Sequence, residues 1–434
     1  MDKRKIKVVW ICNVMNDIVR ERLCSDIGIG RRILIGLLKM VSPLISKSTS
    51  DRLDKFLNYR PQSDYGQWNT NAIREFEKID SVELHVIIPI NMTSCPLAEF
   101  QKNGIYYHIV KSHDNILHKA FGSKVKLPKY MYDRKIIARI VNDIAPDVIH
   151  IIGAENPQYS QTVFDVYQWY PVIVQLQTLL SDPKVLKRDG KRSQVAQMER
   201  RILSLPVYIG TPLADFRRIV LSDINPTAKI IDIGLAVNEP VERKEYKKEY
   251  DFVYFSANIS KAADLAVEAF CLATKKHPEL SLEIIGAYSE DYKALLVNRL
   301  KEYDIAQNVH FEGSLPTHED VIRKIRTARF ALLPLKIDMI SGTIREACAN
   351  GLPVVSTITE GTPELNKDRE TALLSTIGDH TAMAYNMIRL VEDSTLALKL
   401  RENGYRYAES LMNNRDMMMK WVEAYYSVIE NKVS

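Results

Sequence analysis

The sequence predicts an α/β protein built from two doubly wound domains, and three observations predict it. Short, nearly continuous apolar runs recur along the chain, each followed by a stretch whose apolar residues have helical spacing. Strands buried on both faces have this character, and the alternation is that of parallel sheets covered by helices. At 434 residues the chain is too long for one ordinary core. A charged segment poor in apolar residues, VNEPVERKEYKKEYD from Val237 to Asp251, divides the runs into two sets.

The first set, residues 1–240, contains IKVVWIC, VELHVIIP, DVIHIIG, PVIVQL and PVYIG. An insert of about residues 17–64 separates the first strand from a helix that starts near Trp68. Its middle, GRRILIGLLKMVSPLI, joins a basic edge to an apolar stripe; a helix packed on its own domain and a helix lying on a membrane surface both fit. The second set, residues 241–410, contains DFVYFSA, LSLEIIG, NVHFEG, FALLPL, LPVVST and TALLS. Residues 411–434 read as one helix, placed to cross back onto the first domain, with Met412 and Met417 to Met419 as its core side.

Composition narrows the class. With 46% hydrophobic and 26% charged residues the chain reads as soluble and globular. Five scattered cysteines without a CxxC pair argue against a disulfide framework or a zinc site and for a reducing, cytoplasmic setting. The start, MDKRKIKVVWICNV, reads as a basic end and a strand rather than a leader, and no apolar run approaches the ~18 residues a membrane span needs. The net charge of +5 is unevenly spread: seven Lys or Arg face two Asp between Ile29 and Arg60, and eight face two between Gln101 and Ile136. Nucleic-acid recognition signatures are absent, so no nucleic-acid partner is expected. An anionic inner membrane surface, contacted peripherally, or a phosphorylated substrate suits these stretches better. GIGRRI imitates part of a dinucleotide fingerprint but lies far beyond the first strand. With no Asp-x-Asp triplet and no histidine pair at metal spacing, neither a metal nor a cofactor is expected. His150 reads as a strand-end histidine with satisfied bonds.

Doubly wound domains bind ligands at the carboxyl ends of their strands. That rule singles out LLPLKIDMISGTIREACANGLPVVSTITEGTPEL, from Leu332 to Leu365. Ser341-Gly342-Thr343 opens the helix GTIREACAN, whose first N–H groups lack partners and favour an anion, and Gly342 permits close approach. Glu346, one turn into the helix, suits vicinal hydroxyls, and Asp338 in the loop suits those of a second ring. Together they read as a cradle for sugar, diphosphate and ribose. A solvated Asp338 and a Glu346 paired with Arg345 account for the spacing equally well.

The same residues resemble the nucleotide-sugar signature of the retaining family 4 glycosyltransferases, the glycosyl transferases group 1. That family has the GT-B fold, two Rossmann-like domains facing a central cleft. Its pattern runs from a Glu across seven residues to Glu-Ala, then Gly-Leu-Pro-Val-Val, then a small-residue turn with Pro-Glu. The counterparts are Asp338, Glu346-Ala347, GLPVV from Gly351 to Val355, and EGTPEL from Glu360. The resemblance reaches back to SANISKAADLAVEAF, where Lys261 matches the diphosphate-binding lysine, and to VHFEGSLP beside the nucleobase. Gly286 and Gly313, together with Gly66 in DYGQW, complete the implied donor-binding set. The chain departs from the pattern at Asp338 (Glu in the family), Ser341 (Gly), Ser256 (Arg) and Gln177, where many members carry His. What the resemblance implies is a retaining transfer of sugar from a UDP- or GDP-linked donor to a glycan or lipid-linked acceptor, as in cell-surface polysaccharide biosynthesis. The acceptor is expected on the first domain, with Tyr106, Tyr107, Tyr130 and Tyr132 in the second basic stretch contributing. Lys261, Asp338, Glu346 and Gln177 are the implied catalytic set. A nucleotide-sugar epimerase and a non-catalytic subunit of the same fold remain open.

Overall fold

The computed structural model describes residues 4–25, 64–90, 97–112, 130–188, 193–237, 240–336, 341–359 and 361–433. Most of the 17–64 insert, with its basic and apolar stretch, lies outside the described residues, as do residues 113–129 of the second basic stretch and Asp338. The chain divides into two compact units, one of Met1–Pro61, Tyr65–Ala236 and Asn414–Ser434, the other of Gln62–Asp64 and Val237–Asn413.

In the first unit the strands are β1 (Ile6–Ile11), β2 (Val82–Ile90), β3 (Leu97–Lys102), β4 (Ile105–Lys111), β5 (Val148–Ile152), β6 (Val172–Gln175), β7 (Tyr208–Gly210) and β8 (Lys229–Ile231). Their order in one sheet is β3-β4-β2-β1-β5-β6-β7-β8, parallel throughout except for β3 against β4. Val8 to Ile11 and Val148 to Ile152 are fully buried, which is why these strands are apolar on both faces. Three strands escape the apolar pattern. β3 (LAEFQK) is an edge strand that turns alternate residues to solvent, β4 lies inside the basic stretch, and β8 is three residues long. Their presence corrects the expectation for one tyrosine. Tyr107 is fully buried in β4 and stacked on Phe100 at 4.9 Å, so it serves the sheet, while Tyr106 is half-buried and stacks on His85 at 4.5 Å. Tyr132, 52% exposed, stays at the surface.

The terminal helix, Asn414–Val433, packs within this unit through Met418, Trp421, Tyr425 and Val428, all buried; Met419 is exposed. A chain of hydrogen bonds fixes it. Trp10 Nε1 donates to the Tyr425 hydroxyl (2.8 Å), which shares a hydrogen bond with His150 Nδ1 (2.8 Å). His150 Nε2 and the Gln175 amide oxygen are buried without a hydrogen-bond partner among the described residues, while Gln175 Nε2 donates to the Ile233 carbonyl (3.1 Å). Complete burial holds the His150 imidazole well below its ordinary pKa, at about 3, so it stays neutral. Trp421 Nε1 adds a bond to the Gly234 carbonyl (2.7 Å).

Two further acids of this unit, Glu199 and Glu155, have surroundings that raise their pKa. Glu199, fully buried, accepts from the backbone N–H groups of Leu180 (3.2 Å) and Ser181 (2.7 Å), and burial raises its pKa. Glu155, just past β5, accepts from Asn156 Nδ2 (2.9 Å) through Oε1, while its Oε2 has no exposed surface and no partner among the described residues. Burial first, and then the charge of Glu199, push the Glu155 carboxyl up to about 8.

The second unit holds β9 (Tyr250–Asn258), β10 (Leu282–Ala287), β11 (Val309–Gly313), β12 (Ala328–Leu333), β13 (Val354–Thr357) and β14 (Ala372–Ser375), in the order β11-β10-β9-β12-β13-β14 and parallel throughout. The charged segment before β9 lies on this unit. Arg243 pairs with Glu402 (2.9 Å) and Glu409 (3.0 Å), Glu242 pairs with Arg326, and Lys248 donates to the Arg326 carbonyl (2.9 Å).

Two expectations follow for the first unit. Tyr425→Phe leaves Trp10 Nε1 and His150 Nδ1 buried without their partner, and urea unfolding should show a loss of roughly 2–4 kcal/mol. For Glu155 the folded pKa lies above the unfolded value of 4.5, so the folded state holds the extra proton between about pH 4.5 and 8. Stability is thus full below that window and falls as pH rises through it, by at most about 1.4 kcal/mol per pH unit. Glu155→Gln should remove this slope when unfolding is measured across the window.

Candidate functional site

In the second unit β10 and β11 lie to one side of β9, and β12, β13 and β14 to the other. The connections leaving β9 and β12 therefore run to opposite faces of the sheet, and a crevice opens at the carboxyl ends of these neighbouring strands. The residues singled out in the sequence arrive here from both sides. After β9, the Asn258 side chain accepts from the Ser260 N–H (2.9 Å) and hydroxyl (2.8 Å), which fixes the short turn Ile259–Lys261. Lys261 stands exposed at the end of that turn, ahead of the helix Ala263–Ala273.

After β12, Leu335 and Thr357 exchange hydrogen bonds of 2.7 and 2.6 Å, so the end of β13 clamps the loop. Lys336 reaches Asp264 in the first turn of the Ala263–Ala273 helix (2.7 and 2.9 Å), tying the two loops together across the crevice. The helix Gly342–Ala349 then starts from Ser341, whose hydroxyl accepts from the Ile344 N–H (3.4 Å) and shares a hydrogen bond with the Thr343 hydroxyl (2.6 Å). A Cβ on Gly342 would stand 3.8 Å from Glu346 Oε1. The carboxylate thus folds back to the amino end of its own helix, where the unpaired N–H groups lie.

The structure adds two side chains that the sequence reading missed. Lys336 is one. The other is His318, whose Nε2 lies 3.8 Å from Glu346 Oε1, the two side chains being 16% and 14% exposed. His318 follows the N-cap Thr317, inside the capping box that Asp320 closes, and begins the helix His318–Ile325 beyond β11. That cap was the available signal: a histidine at the first position of a helix leaving a strand's carboxyl end.

The glycines divide by role. Gly286 has φ 137°, and a Cβ there would lie 1.9 Å from the Ser256 carbonyl, so its first requirement is the close approach of β10 to the end of β9. Ser256 is also the residue standing where the resemblance expects an arginine. Gly313 turns at φ 83°, and among the described residues only Tyr288 comes near its Cβ position, at 3.8 Å. In the first unit, Gly66 (φ 68°) opens the helix Gln67–Phe76 against the Asn13 carbonyl beyond β1, 2.5 Å from where its Cβ would be. Gln177, past β6, donates from Nε2 to the Ile152 carbonyl (3.2 Å). Gly66 and Gln177 belong to the first unit; Lys261, Glu346, Ser341, Gly342, Thr343, Gly286 and Gly313 belong to the second.

One cluster has metal-like composition. Glu283, His310 and Glu312 offer ligand atoms within 4.8 Å of one another. Lys324 already supplies a cation there, 2.9 Å from Glu312 and 3.8 Å from Glu283, and His310 lies 2.9 Å from Glu283. The group is an ion-pair network on β10 and β11.

Residues 238–407 match the family model of glycosyl transferases group 1. N-acetyl-alpha-D-glucosaminyl L-malate synthase of Bacillus anthracis is 22% identical over 224 residues, 48% of this chain and 58% of that protein, so the chain spans little more than half the length of this curated relative. Among solved structures, sucrose-phosphate synthase from Thermosynechococcus elongatus superposes with a TM-score of 0.66 at 13% identity, covering 98% of this chain and 100% of that one. The E. coli trehalose-6-phosphate structure bound with UDP-2-fluoro glucose gives a TM-score of 0.63 at 10% identity, covering 96% and 98%. The chain has the GT-B fold of two Rossmann-like domains, and residues 238–407 carry its match to the glycosyl transferases group 1.

Proposed function

We propose that the protein is a retaining glycosyltransferase of the family 4 type. In this reading the second unit holds a UDP- or GDP-linked sugar donor, and the first unit holds a glycan or lipid-linked acceptor, as in cell-surface polysaccharide assembly. The observation that carries it is Glu346, a carboxylate returned to the amino end of its helix at the crevice between β9 and β12. Such a group repels a bare diphosphate but accepts hydrogen bonds from ribose hydroxyls, while the amides ahead of it serve the diphosphate. The family match over the second unit and the relative bound with UDP-2-fluoro glucose support the donor class.

In the proposed reaction the bond between the anomeric carbon and the diphosphate oxygen breaks, and negative charge grows on the diphosphate. Lys261 and the N–H groups of Gly342 and Thr343 offset that charge without a metal. The leaving oxygen takes the acceptor hydroxyl's proton on the face it departs from, so the configuration is retained and no nucleophile–base pair is needed. Asp338 is assigned the hydroxyls of the transferred sugar. Gln177, with Nε2 engaged by the Ile152 carbonyl, keeps its amide oxygen to accept from a hydroxyl and takes no proton. Among the described residues no helix is long and apolar enough to cross a membrane. Peripheral contact of a cytoplasmic protein with an anionic inner membrane, through Arg31, Arg32 and Lys39 beside the apolar stripe, completes the proposal.

Incubation with UDP-glucose, UDP-N-acetylglucosamine and GDP-mannose, with release of nucleoside diphosphate and retention at the anomeric carbon as readouts, tests the reading. No release from a donor panel extended to other UDP- and GDP-sugars overturns it. Glu346→Ala should weaken binding of the nucleoside diphosphate alone by about 1.5–3 kcal/mol, the range for hydrogen bonds to a charged group; calorimetry reads this. Lys261→Ala should lower kcat more than it raises KM for the donor, because its charge matters most as the leaving group departs. Normal turnover with weaker binding would make the lysine a docking charge only.

A further inference from the structure

The setting of His318 bears on what holds the Glu346 carboxylate in place. The backbone that carries the imidazole is fixed at consecutive positions. The Thr317 hydroxyl accepts from the Asp320 N–H (3.1 Å), the Asp320 carboxylate accepts from the Thr317 N–H (3.2 Å) and hydroxyl (2.7 Å), and the His318 N–H donates to Asp64 Oδ2 (3.4 Å). On the other side, Glu346 belongs to a helix anchored by the Ser341 cap. Its Oε1 lies between the amino end of that helix and His318 Nε2. A separation of 3.8 Å is too long for a hydrogen bond and close enough for an ion pair. Both side chains are largely withdrawn from solvent, so salt and water screen that pair weakly.

We propose that His318 is a positioning residue for Glu346: its imidazolium holds Oε1, so that a nucleotide's ribose hydroxyls meet a carboxylate already oriented for them. This rests on the reading of Glu346 as the ribose acceptor. The coupling is reciprocal. An anion opposite the imidazole favours its protonated form, and the protonated form keeps the carboxylate in one orientation instead of leaving that ordering to be done by the ligand. The other charged groups nearby are Asp64 at the His318 N–H, Glu319 on its own helix and Arg345 next to Glu346 in the sequence. The consequence for ligand choice is discrimination. A ribonucleotide gains from the oriented carboxylate, and a 2′-deoxyribonucleotide gains little.

Two measurements on the full chain test this. In calorimetry with UDP and 2′-deoxy-UDP, or GDP and 2′-deoxy-GDP where guanine is the base, the wild type should lose about three- to tenfold in ribonucleotide affinity as pH rises from about 5.5 to 8. His318→Gln should bind the ribonucleotide weakly and without that pH dependence, yet bind the 2′-deoxy form as the wild type does. Equal losses for both nucleotides would mean a general structural role and overturn the proposal, as would wild-type affinity and pH profile in the variant. The second measurement needs no ligand: the His318 imidazole, followed by NMR titration, should lose its proton at lower pH in Glu346→Ala than in the wild type, and an unchanged titration overturns the pairing. Unchanged ribonucleotide affinity in Glu346→Ala is a different failure, that of the ribose reading itself. A loss in Glu346→Ala with none in His318→Gln removes only the role of the histidine.

Discussion

Each unit of this chain places its first strand inside the sheet rather than at an edge, and the positions of the candidate groups depend on that. β1 is flanked by β2 and β5, and β9 by β10 and β12. A right-handed crossover leaving one such strand covers one face, and the crossover leaving its neighbour on the other side covers the opposite face. Two loops that would otherwise fill the same space diverge. In the second unit the gap receives Lys261 from one side and the Ser341–Glu346 segment from the other, with Lys336–Asp264 bridging the loops and Thr357–Leu335 clamping one of them.

The first unit is completed by a helix distant in sequence, and its core admits polar groups to hold it. Trp10 and His150, from two strands, are joined through the Tyr425 hydroxyl of the terminal helix, and Gln175, from a third strand, donates to the Ile233 carbonyl. A purely apolar contact would tolerate small slips of the helix; a relay of this kind does not, since a slip strands several buried groups at once. Residues 414–433 thereby belong to the same compact unit as β1 and β5.

Three carboxylates illustrate how placement changes the same chemical group. Glu283 is buried beside His310 and Lys324 and serves as one arm of an ion-pair network. Among the described residues Glu155 has an amide as its side-chain partner and the charge of Glu199 nearby, so it keeps its proton into the neutral range. Glu346 returns to a helix amino end opposite a histidine, a place from which its oxygens can accept hydroxyl hydrogen bonds. Nothing in the sequence around each glutamate separates these cases.

What the sequence determined by itself was local or periodic. Eleven apolar runs announced strands because a parallel strand covered on both faces has no polar side to display, and the charged Val237–Asp251 segment announced the division into two sets of strands. The donor-site candidates were legible where the signal was contiguous: a small-residue cap, a glycine and a glutamate one turn later need only the geometry of one helix. The strands β3 and β4 were not legible, because β3 is an edge strand that turns alternate residues to solvent and β4 lies inside the basic stretch, so both resemble a loop. Nor was His318, which meets Glu346 only because the helices following β11 and β12 converge, nor the burial of Glu155 beside Glu199, nor the requirement of Gly286 for the Ser256 carbonyl. These depend on which strands are neighbours and which faces their crossovers cover, and a contact between residues tens of positions apart leaves no period in a single sequence from which to read it.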